Sequence, residues 1–387
     1  MLTAGIKFKN FTHKNKSSKL KKLFLNLISE DNQILNSLKK SYKNSFSKKQ
    51  LNKFKKSNNF NVIGMGGSSL GSQAIFDFLK KKIHKNFRFI DNLQPTKNHT
   101  KGEKYTNLII SKSGETIETI INTNIFVKKN DNNIFITENK KNYLYLLAQK
   151  LKGEIIHHNN FIGGRYSVLS EVGMLPAELM GLNANNFRQF NSLIKNQKFM
   201  NALIISVGST LNFIKQKKFN SIIINYDERS ENLFKWYQQL IAESLGKKKT
   251  GLLPIVSNMP KDNHSVMQLY LDGFNNNFYT FFYVNDLNTK KLKKKNFFSS
   301  KDYLADKSLS EIIYSQKNAT ENVFSKKNIP FRSFEIKKRD EKTLGELFCF
   351  FILETILLGK SLKLNPYDQP AVELIKNETK KLLTKKS

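Results

Sequence analysis

The stretch NFNVIGMGGSSLGSQAIFDFLKKKI, residues 59–83, restricts the fold more than any other. A short apolar run stops at a turn holding four glycines, and an amphipathic helical pattern starts directly behind it. Strand, tight turn and helix in that order begin a β-α-β unit. Strand-like runs then recur at FRFID (87–91), NLIIS (107–111), NNIFITE (132–138) and GEIIHH (153–158). Helical stretches separate most of them, which predicts a parallel sheet with covered faces. A second set opens at NALIISVGS (201–209), read as a strand. It continues through SIIINYDE (221–228), the helical WYQQLIAESLG (236–246), GLLPIVS (251–257) and NNFYTFFYVND (276–286).

These patterns divide the 387 residues into four parts. Residues 1–58 are Lys/Asn/Ser-rich with weak helical periodicity and read as one or two surface helices. A first α/β unit spans 59–180 and a second spans 181–339, with the polar helical stretch 181–200 bridging them. Within the second unit, the Lys-rich segment 289–308 reads as a surface connection. Residues 340–387 read as helical, broken at NPYDQP (365–370). The most apolar run, FCFFILETILLG (348–359), falls short of the roughly 20 residues a membrane span needs. It also carries Glu354, so it reads as a buried helix. No secretory signal pattern is present at the start. The single cysteine, Cys349, cannot form an internal disulfide and suits a reducing compartment. The expectation is a cytoplasmic protein with no membrane partner.

A formal net charge of +34 suggests nucleic acid. The basic residues argue otherwise, because 59 are Lys and six are Arg. Base readout and phosphate forks favour Arg. The lysines are scattered with Asn, Ile and Phe, as a compositional bias would leave them. They predict non-specific adhesion to polyanions at low salt and no specific nucleic-acid partner.

Six constellations could carry chemistry. In GMGGSSLGS (64–72) the glycines let backbone approach a ligand, and the helix start offers N–H groups to an anion. The G-x-G-x-x-G pattern of a dinucleotide site is imperfect, with Ser69 where the third glycine belongs, and a plain tight turn would read the same. SKSGETIET (111–119) gathers the hydroxyls of Ser111, Ser113 and Thr116 at a strand-to-helix turn, a nest suited to a phosphate monoester. An ordinary helix start, with Ser113 as N-cap and Glu115 and Glu118 in the first turns, fits equally. GGRYSVLSE (163–171) presents Arg165 behind two glycines. In so Lys-biased a chain, a replaceable Arg would have drifted to Lys, so Arg165 is a candidate to face an oxyanion. DNHSVMQLYLDG (262–273) holds His264 before an apolar run. NPYDQPAVELIKNETKK (365–381) places Gln369 and Lys376 seven apart, on one face if a single helix holds both. Within WYQQLIAESLG, Glu243 falls beside Trp236, Gln239 and Leu240, where a carboxylate is costly unless paired. The six His lack ligand spacing, and one Cys cannot support a zinc site. His157 and His158, adjacent on a strand, point to opposite faces.

Taken in order, IGMGGSSLG, SKSGETIET, GGRYSVLS, QQLIAESLGK, NHSVMQLYLDG and NPYDQPAVELIK resemble the phosphoglucose isomerase family over most of residues 60–376. The resemblance implies two doubly wound sugar-isomerase subdomains (flavodoxin-like αβα sandwiches) with helical N- and C-terminal additions. It implies a homodimer with shared active sites and no metal or cofactor. The implied activity is the reversible conversion of glucose 6-phosphate and fructose 6-phosphate through a cis-enediolate, in glycolysis and gluconeogenesis. By motif, Glu243 matches the base and Arg165 the group that stabilises the enediolate. His264, supplied by the neighbouring subunit, and Lys376 match residues assisting ring opening. Gln239 and Gln369 match substrate contacts. Ser111, Lys112, Ser113 and Thr116 match the phosphate cradle, and Gly67 and Ser68 the first glycine loop. The chain is shorter than most of the family. Glu115 stands where Thr is common, placing a negative charge near a phosphate unless it turns away. Mannose 6-phosphate as a second substrate, a sugar-phosphate-binding regulator and a general polyanion binder are the competing readings.

Overall fold

A computed structural model describes residues 1–12, 17–93, 104–286, 289–293 and 299–384. Ten strands stand among them: β1 (Ile6–Lys9), β2 (Asn59–Ile63), β3 (Asn86–Ile90), β4 (Thr106–Ile110), β5 (Asn132–Glu138), β6 (Glu154–His158), β7 (Asn220–Asn225), β8 (Leu253–Asn258), β9 (Asn277–Val284) and β10 (Phe331–Ile336). They form two five-stranded sheets.

The first sheet has the order β3-β2-β4-β5-β6, with every pairing parallel. Its central strand β4 is buried at every residue, as a strand covered on both faces must be, while the edge strands β3 and β6 each expose one residue. The chain winds from β2 outward to β3, then crosses back to β4 and continues the other way. This reversal creates a crevice at the carboxyl ends of β2 and β4. The second sheet repeats the winding: β7, β8, β9 and β10 pair in parallel in the order β10-β9-β7-β8. β1 closes its edge antiparallel to β10, with Ile6 opposite Ile336. The doubly wound α/β class expected from the alternation of elements is therefore present in both halves.

Three local readings change. NALIISVGS is not a strand but lies inside helix Gln197–Lys215. Its β-branched residues mimic a strand. Yet burial recurs at Phe199, Leu203, Ser206, Val207 and Thr210 with a helical period, and the Asn196 side chain caps the start by accepting from the backbone N–H of Lys198 and Phe199. The segment read as surface helices contains β1, and the helix Ser18–Ser29 behind it buries Leu20, Phe24 and Leu27. β10 was missed because FRSFEI carries three polar residues. One of them, Arg332, is buried and paired with Glu354. The 289–308 connection falls partly outside the described residues.

The helix Glu341–Ser361 fills the centre of the molecule and is buried without a break from Thr343 to Gly359. Of its two buried carboxylates, Glu346 accepts the Thr3 hydroxyl (2.6 Å), and Glu354 accepts from Arg332 (3.1 Å) and from the Ser206 hydroxyl (2.9 Å). A buried carboxylate is tolerated only with such partners. Against this helix packs Glu231–Leu245, which also touches Leu70–Phe78 of the first unit. Among the described residues no helix is long and apolar enough to cross a membrane.

Candidate active site

The crevice of the first sheet is walled by the loops that leave β2 and β4. Behind β2, Gly66–Ser68 forms a single 3-10 turn and the helix Leu70–Phe78 follows. Behind β4, residues 111–116 lead into the helix Ile117–Phe126. Neither helix has a side-chain N-cap bond, so the first N–H groups of each are open to an anion. The hydroxyls of Ser111 and Thr116 meet at 2.9 Å, and the Ser111 oxygen also accepts the Gly114 N–H at 3.2 Å. Gly114 has φ +68°, and a Cβ there would lie 2.1 Å from the Asn142 side-chain oxygen, so only glycine fits this turn. Ser113 is exposed and its oxygen accepts the Glu115 N–H, not a helix-start N–H; Thr116 is the N-cap residue. Glu115 turns away from the cradle. Its carboxylate accepts the N–H of Tyr143 at 2.9 Å, at the start of helix Tyr143–Leu151. The extra negative charge therefore serves a helix N-terminus. Lys112 is half-buried, donates to the Asn160 carbonyl at 2.7 Å and lies 3.7 Å from Glu138. Burial pushes its pKa below the ordinary lysine value, with Glu138 pulling the other way.

The third wall is the turn Gly163–Gly164–Arg165, which continues as a 3-10 segment to Leu169. Here the glycines of two loops touch. A Cβ on Gly67 would sit 2.2 Å from the Gly164 carbonyl carbon and 2.6 Å from the Arg165 nitrogen. The close approach lets the first glycine loop rest directly on the Arg165 backbone. The Arg165 side chain is 1% exposed. All five of its N–H donors are used. Nε donates to Ser244 (2.8 Å), Nη1 to Glu243 (3.1 Å) and Gln369 (2.7 Å), and Nη2 to the carbonyls of Pro366 (2.7 Å) and Asp368 (3.0 Å). One guanidinium thus joins the third loop, the helix Glu231–Leu245 and the break in the C-terminal segment.

On that helix Trp236, Tyr237, Leu240, Ile241 and Leu245 are all buried, spread around its circumference. The Trp236 indole N–H donates to the Arg165 carbonyl at 3.1 Å, fixing helix and loop together. Glu243 is left partly open, with 30% of its side chain exposed. One oxygen accepts from Arg165 and the other from the Gln239 amide at 2.9 Å, one turn earlier. The Gln239 oxygen is buried and has no hydrogen-bond partner among the described residues. Beyond Glu243 opens a cavity of about 790 Å³, lined among others by Lys247, Asn365, Asp368, Gln369 and Val372.

The profile of the phosphoglucose isomerase family matches residues 12–387. This chain belongs to the phosphoglucose isomerase family. It is similar to the glucose-6-phosphate isomerase of Methanocaldococcus jannaschii, with 32% identity over 347 residues that cover 84% of each chain. Its fold is similar to that of a hypothetical protein from Thermus thermophilus, with a TM-score of 0.80 and 21% identity over 95% of this chain and 94% of that one. It is also similar in fold to a glucose-6-phosphate isomerase from Chlamydia trachomatis, with a TM-score of 0.73 and 16% identity over 98% and 89% of the two chains.

Of the residues that family resemblance singles out, the structure gathers Glu243, Arg165, Gln239 and Gln369 by direct hydrogen bonds. It sets Gly67 against the same loop and leaves Ser68 half-buried at the end of its turn. His264 and Lys376 stand apart. His264 ends an exposed 3-10 turn, Lys261–His264, and makes no side-chain hydrogen bond among the described residues. Lys376 is 63% exposed and paired with Glu373 at 2.6 Å. Gln369 precedes the helix Val372–Thr384, so one helix does not hold both it and Lys376. In the phosphoglucose isomerase fold of this chain, Ser244 and Tyr166 escaped sequence reading. Tyr166 shares the Ser244 hydroxyl (2.8 Å) and the Pro366 carbonyl (2.9 Å) with Arg165. Their neighbours in ESLG and GGRY were the available signal, but a buried hydroxyl looks like any other in sequence. Among the described residues no cluster of His, Cys, Asp and Glu is placed to hold a metal ion.

Proposed function

We propose that the Glu243–Arg165 pair carries out the reversible isomerisation of glucose 6-phosphate and fructose 6-phosphate. The chain is an aldose–ketose isomerase of the phosphoglucose isomerase family, acting in glycolysis and gluconeogenesis. In the forward direction Glu243 takes the proton from C2 of the open-chain aldose and returns it to C1. The C1 carbonyl oxygen becomes the enediolate oxygen; as the ketose forms, the proton of the C2 hydroxyl passes to it and C2 becomes the carbonyl. The hydrogen on C2 is weakly acidic, so the base needs a nearby positive group to hold the oxyanion. The single observation carrying this reading is that Arg165 already donates to Glu243 at the cavity mouth. As Glu243 accepts the proton its charge is lost while negative charge grows on the substrate. The guanidinium then exchanges one anionic partner for another without leaving its place. The phosphate, bound by Ser111, Lys112, Ser113 and Thr116 with the Gly67–Ser68 turn, holds the reacting carbons in register.

Ring opening is assigned to His264 and Lys376, in a cytoplasmic homodimer whose partner copy supplies the histidine. Two observations support this. His264 is exposed on its own chain. The helix Val372–Thr384 also leaves Leu374, Ile375, Leu382 and Leu383 each more than 60% exposed, a face suited to a second copy. The test is activity on fructose 6-phosphate in excess EDTA, followed by subunit mixing. Glu243→Gln and His264→Gln are each expected to be inactive. Co-refolded, they should recover about a quarter of wild-type turnover, since half the dimers hold one intact site. No recovery refutes shared sites, and no wild-type turnover refutes the isomerase.

A further inference from the structure

We propose that Glu171 is a positioning residue for the phosphate end of the site, acting through the Asn159–Asn160 turn to hold Lys112. This rests on the isomerase reading above for the role of Lys112. Glu171 is 1% exposed and opens the helix Glu171–Leu179. A carboxylate so buried must be satisfied by donors. One oxygen accepts the Tyr42 hydroxyl at 3.0 Å, and the other accepts the Asn159 N–H at 2.6 Å. The buried His158 ring lies 3.8 Å from it. Arg188, also 1% exposed, clamps the far side. It donates to the Tyr42 carbonyl (3.2 Å), the Asn44 side chain (2.6 Å) and the Leu169 carbonyl (3.1 Å). Glu171 is therefore fastened to a part of the molecule that cannot easily follow a moving loop.

From that anchor the chain makes a short turn. The Asn159 side-chain oxygen accepts the Phe161 N–H at 3.0 Å, and its carbonyl accepts the N–H of buried Ile162 at 3.1 Å. This aims the intervening Asn160 carbonyl at Lys112, which donates to it at 2.7 Å. A neutral carbonyl orients the ammonium without cancelling its charge. The alternative partner is close: Glu138 lies 3.7 Å from Lys112 and already pairs with Lys140 at 2.8 Å. If the turn relaxes, Lys112 falls onto Glu138, and the cradle loses a positive charge. Three residues past Ile162 the same loop delivers Arg165, but that side chain has five anchors of its own. The effect of Glu171 is thus confined to the phosphate end.

The test compares Glu171→Asp, Glu171→Gln and Lys112→Met, alone and combined. Aspartate keeps the charge but withdraws it beyond reach of the Asn159 N–H. It should raise KM for fructose 6-phosphate about ten-fold, as loss of one charge-assisted contact does, with kcat within about two-fold. Glutamine keeps the reach and one acceptor, and should restore KM to within about three-fold of wild type. Lys112→Met raises KM by itself, and adding Glu171→Asp to it should raise KM no further. Calorimetric Kd for inorganic phosphate reads the same coupling without turnover. An inactive wild type would refute the isomerase reading and leave this one measurable. The proposal is overturned if Glu171→Asp leaves both KM and the phosphate Kd unchanged. It is equally overturned if the variant lowers kcat alone, or weakens binding by the same factor in the Lys112→Met background.

Discussion

Replacing Glu243 by glutamine tests the centre of the site, because the structure separates its chemical effect from its structural one. The amide keeps the shape and one acceptor for Arg165. Its new NH2 group would face the Gln239 NH2, now 2.9 Å from the Glu243 oxygen. That conflict resolves by a flip of Gln239, whose own oxygen is buried and unpartnered. The lost quantity is then one ion pair, with Arg165 1% and Glu243 30% exposed at 3.1 Å. Solvent reaches the carboxylate, so the pair is worth about 2 kcal/mol, less than a wholly buried one. Thermal melts should fall by a few degrees only. Catalysis should fall much further. An amide cannot take the C2 proton, and removing a placed general base costs about 10²–10⁴-fold. Two assays read this: coupled turnover of fructose 6-phosphate, and exchange of the C2 hydrogen of glucose 6-phosphate in D2O by NMR. Both should be lost together in a folded protein. Turnover within about ten-fold of wild type, with exchange retained, would show that another group moves the proton.

Three further outcomes follow from the same geometry. Gly67→Ala drives a methyl into the backbone of Gly164 and Arg165, at 2.2–2.6 Å; neither can yield like a side chain, so melting should show about 1–3 kcal/mol lost, together with activity. Arg165→Lys can satisfy at most three of the five acceptors, and should lose at least about 10²-fold in kcat/KM while proteolysis at residues 365–370 quickens. His158 has its pKa lowered by burial, with Glu171 opposing. The unfolded chain therefore binds a proton below about pH 6.5 that the folded chain refuses. Stability should fall with pH from there, by up to about 1.4 kcal/mol per unit, and urea midpoints in His158→Gln should show a shallower slope.

Periodicity and turn chemistry made the first α/β unit legible. Each of its strands after β2 overlaps a run that the sequence marks, and β5 is bounded as NNIFITE reads. They failed where composition hides context. β10 depends on a buried Arg332 that only Glu354, on another element, makes tolerable. NALIISVGS depends on a cap, Asn196, lying outside the run that suggested a strand. The rarity of arginine was informative in a way the sequence could not resolve. All six arginines are buried or half-buried, so rarity marks positions that need a guanidinium fork. Arg188 and Arg332 answer that need structurally, and Arg165 differs only in what it touches. Likewise Glu115 read as a threat to phosphate binding until its partner, the Tyr143 N–H, was seen 28 residues away.

The two sheets share one winding but treat their crevices oppositely. Between β2 and β4 stand glycine turns and two helix starts without side-chain caps. At the equivalent reversal, between β7 and β9, the loops bring Asp227 and Asp286 together, and Arg229 and Arg339 fill the space between them. Arg339 donates to Asp227 at 2.7 Å and to Asp286 at 3.3 Å, while Arg229 pairs with Asp286. Charges already neutralised by one another offer a phosphate little. Arg339 also donates to the Phe78 carbonyl at 3.4 Å, at the end of the helix that starts from the first glycine loop. The second crevice is thus spent on joining the halves. The helix Glu231–Leu245 of the second unit is laid across the seam, with Gln239 against the Gly66 turn and Glu243 bonded to Arg165. On the isomerase reading proposed above, one unit would hold the anion and the other the base, with the reacting carbons between them. Loosening the seam at Arg339 should then cost turnover even though Arg339 bonds neither the glycine turn nor Glu243.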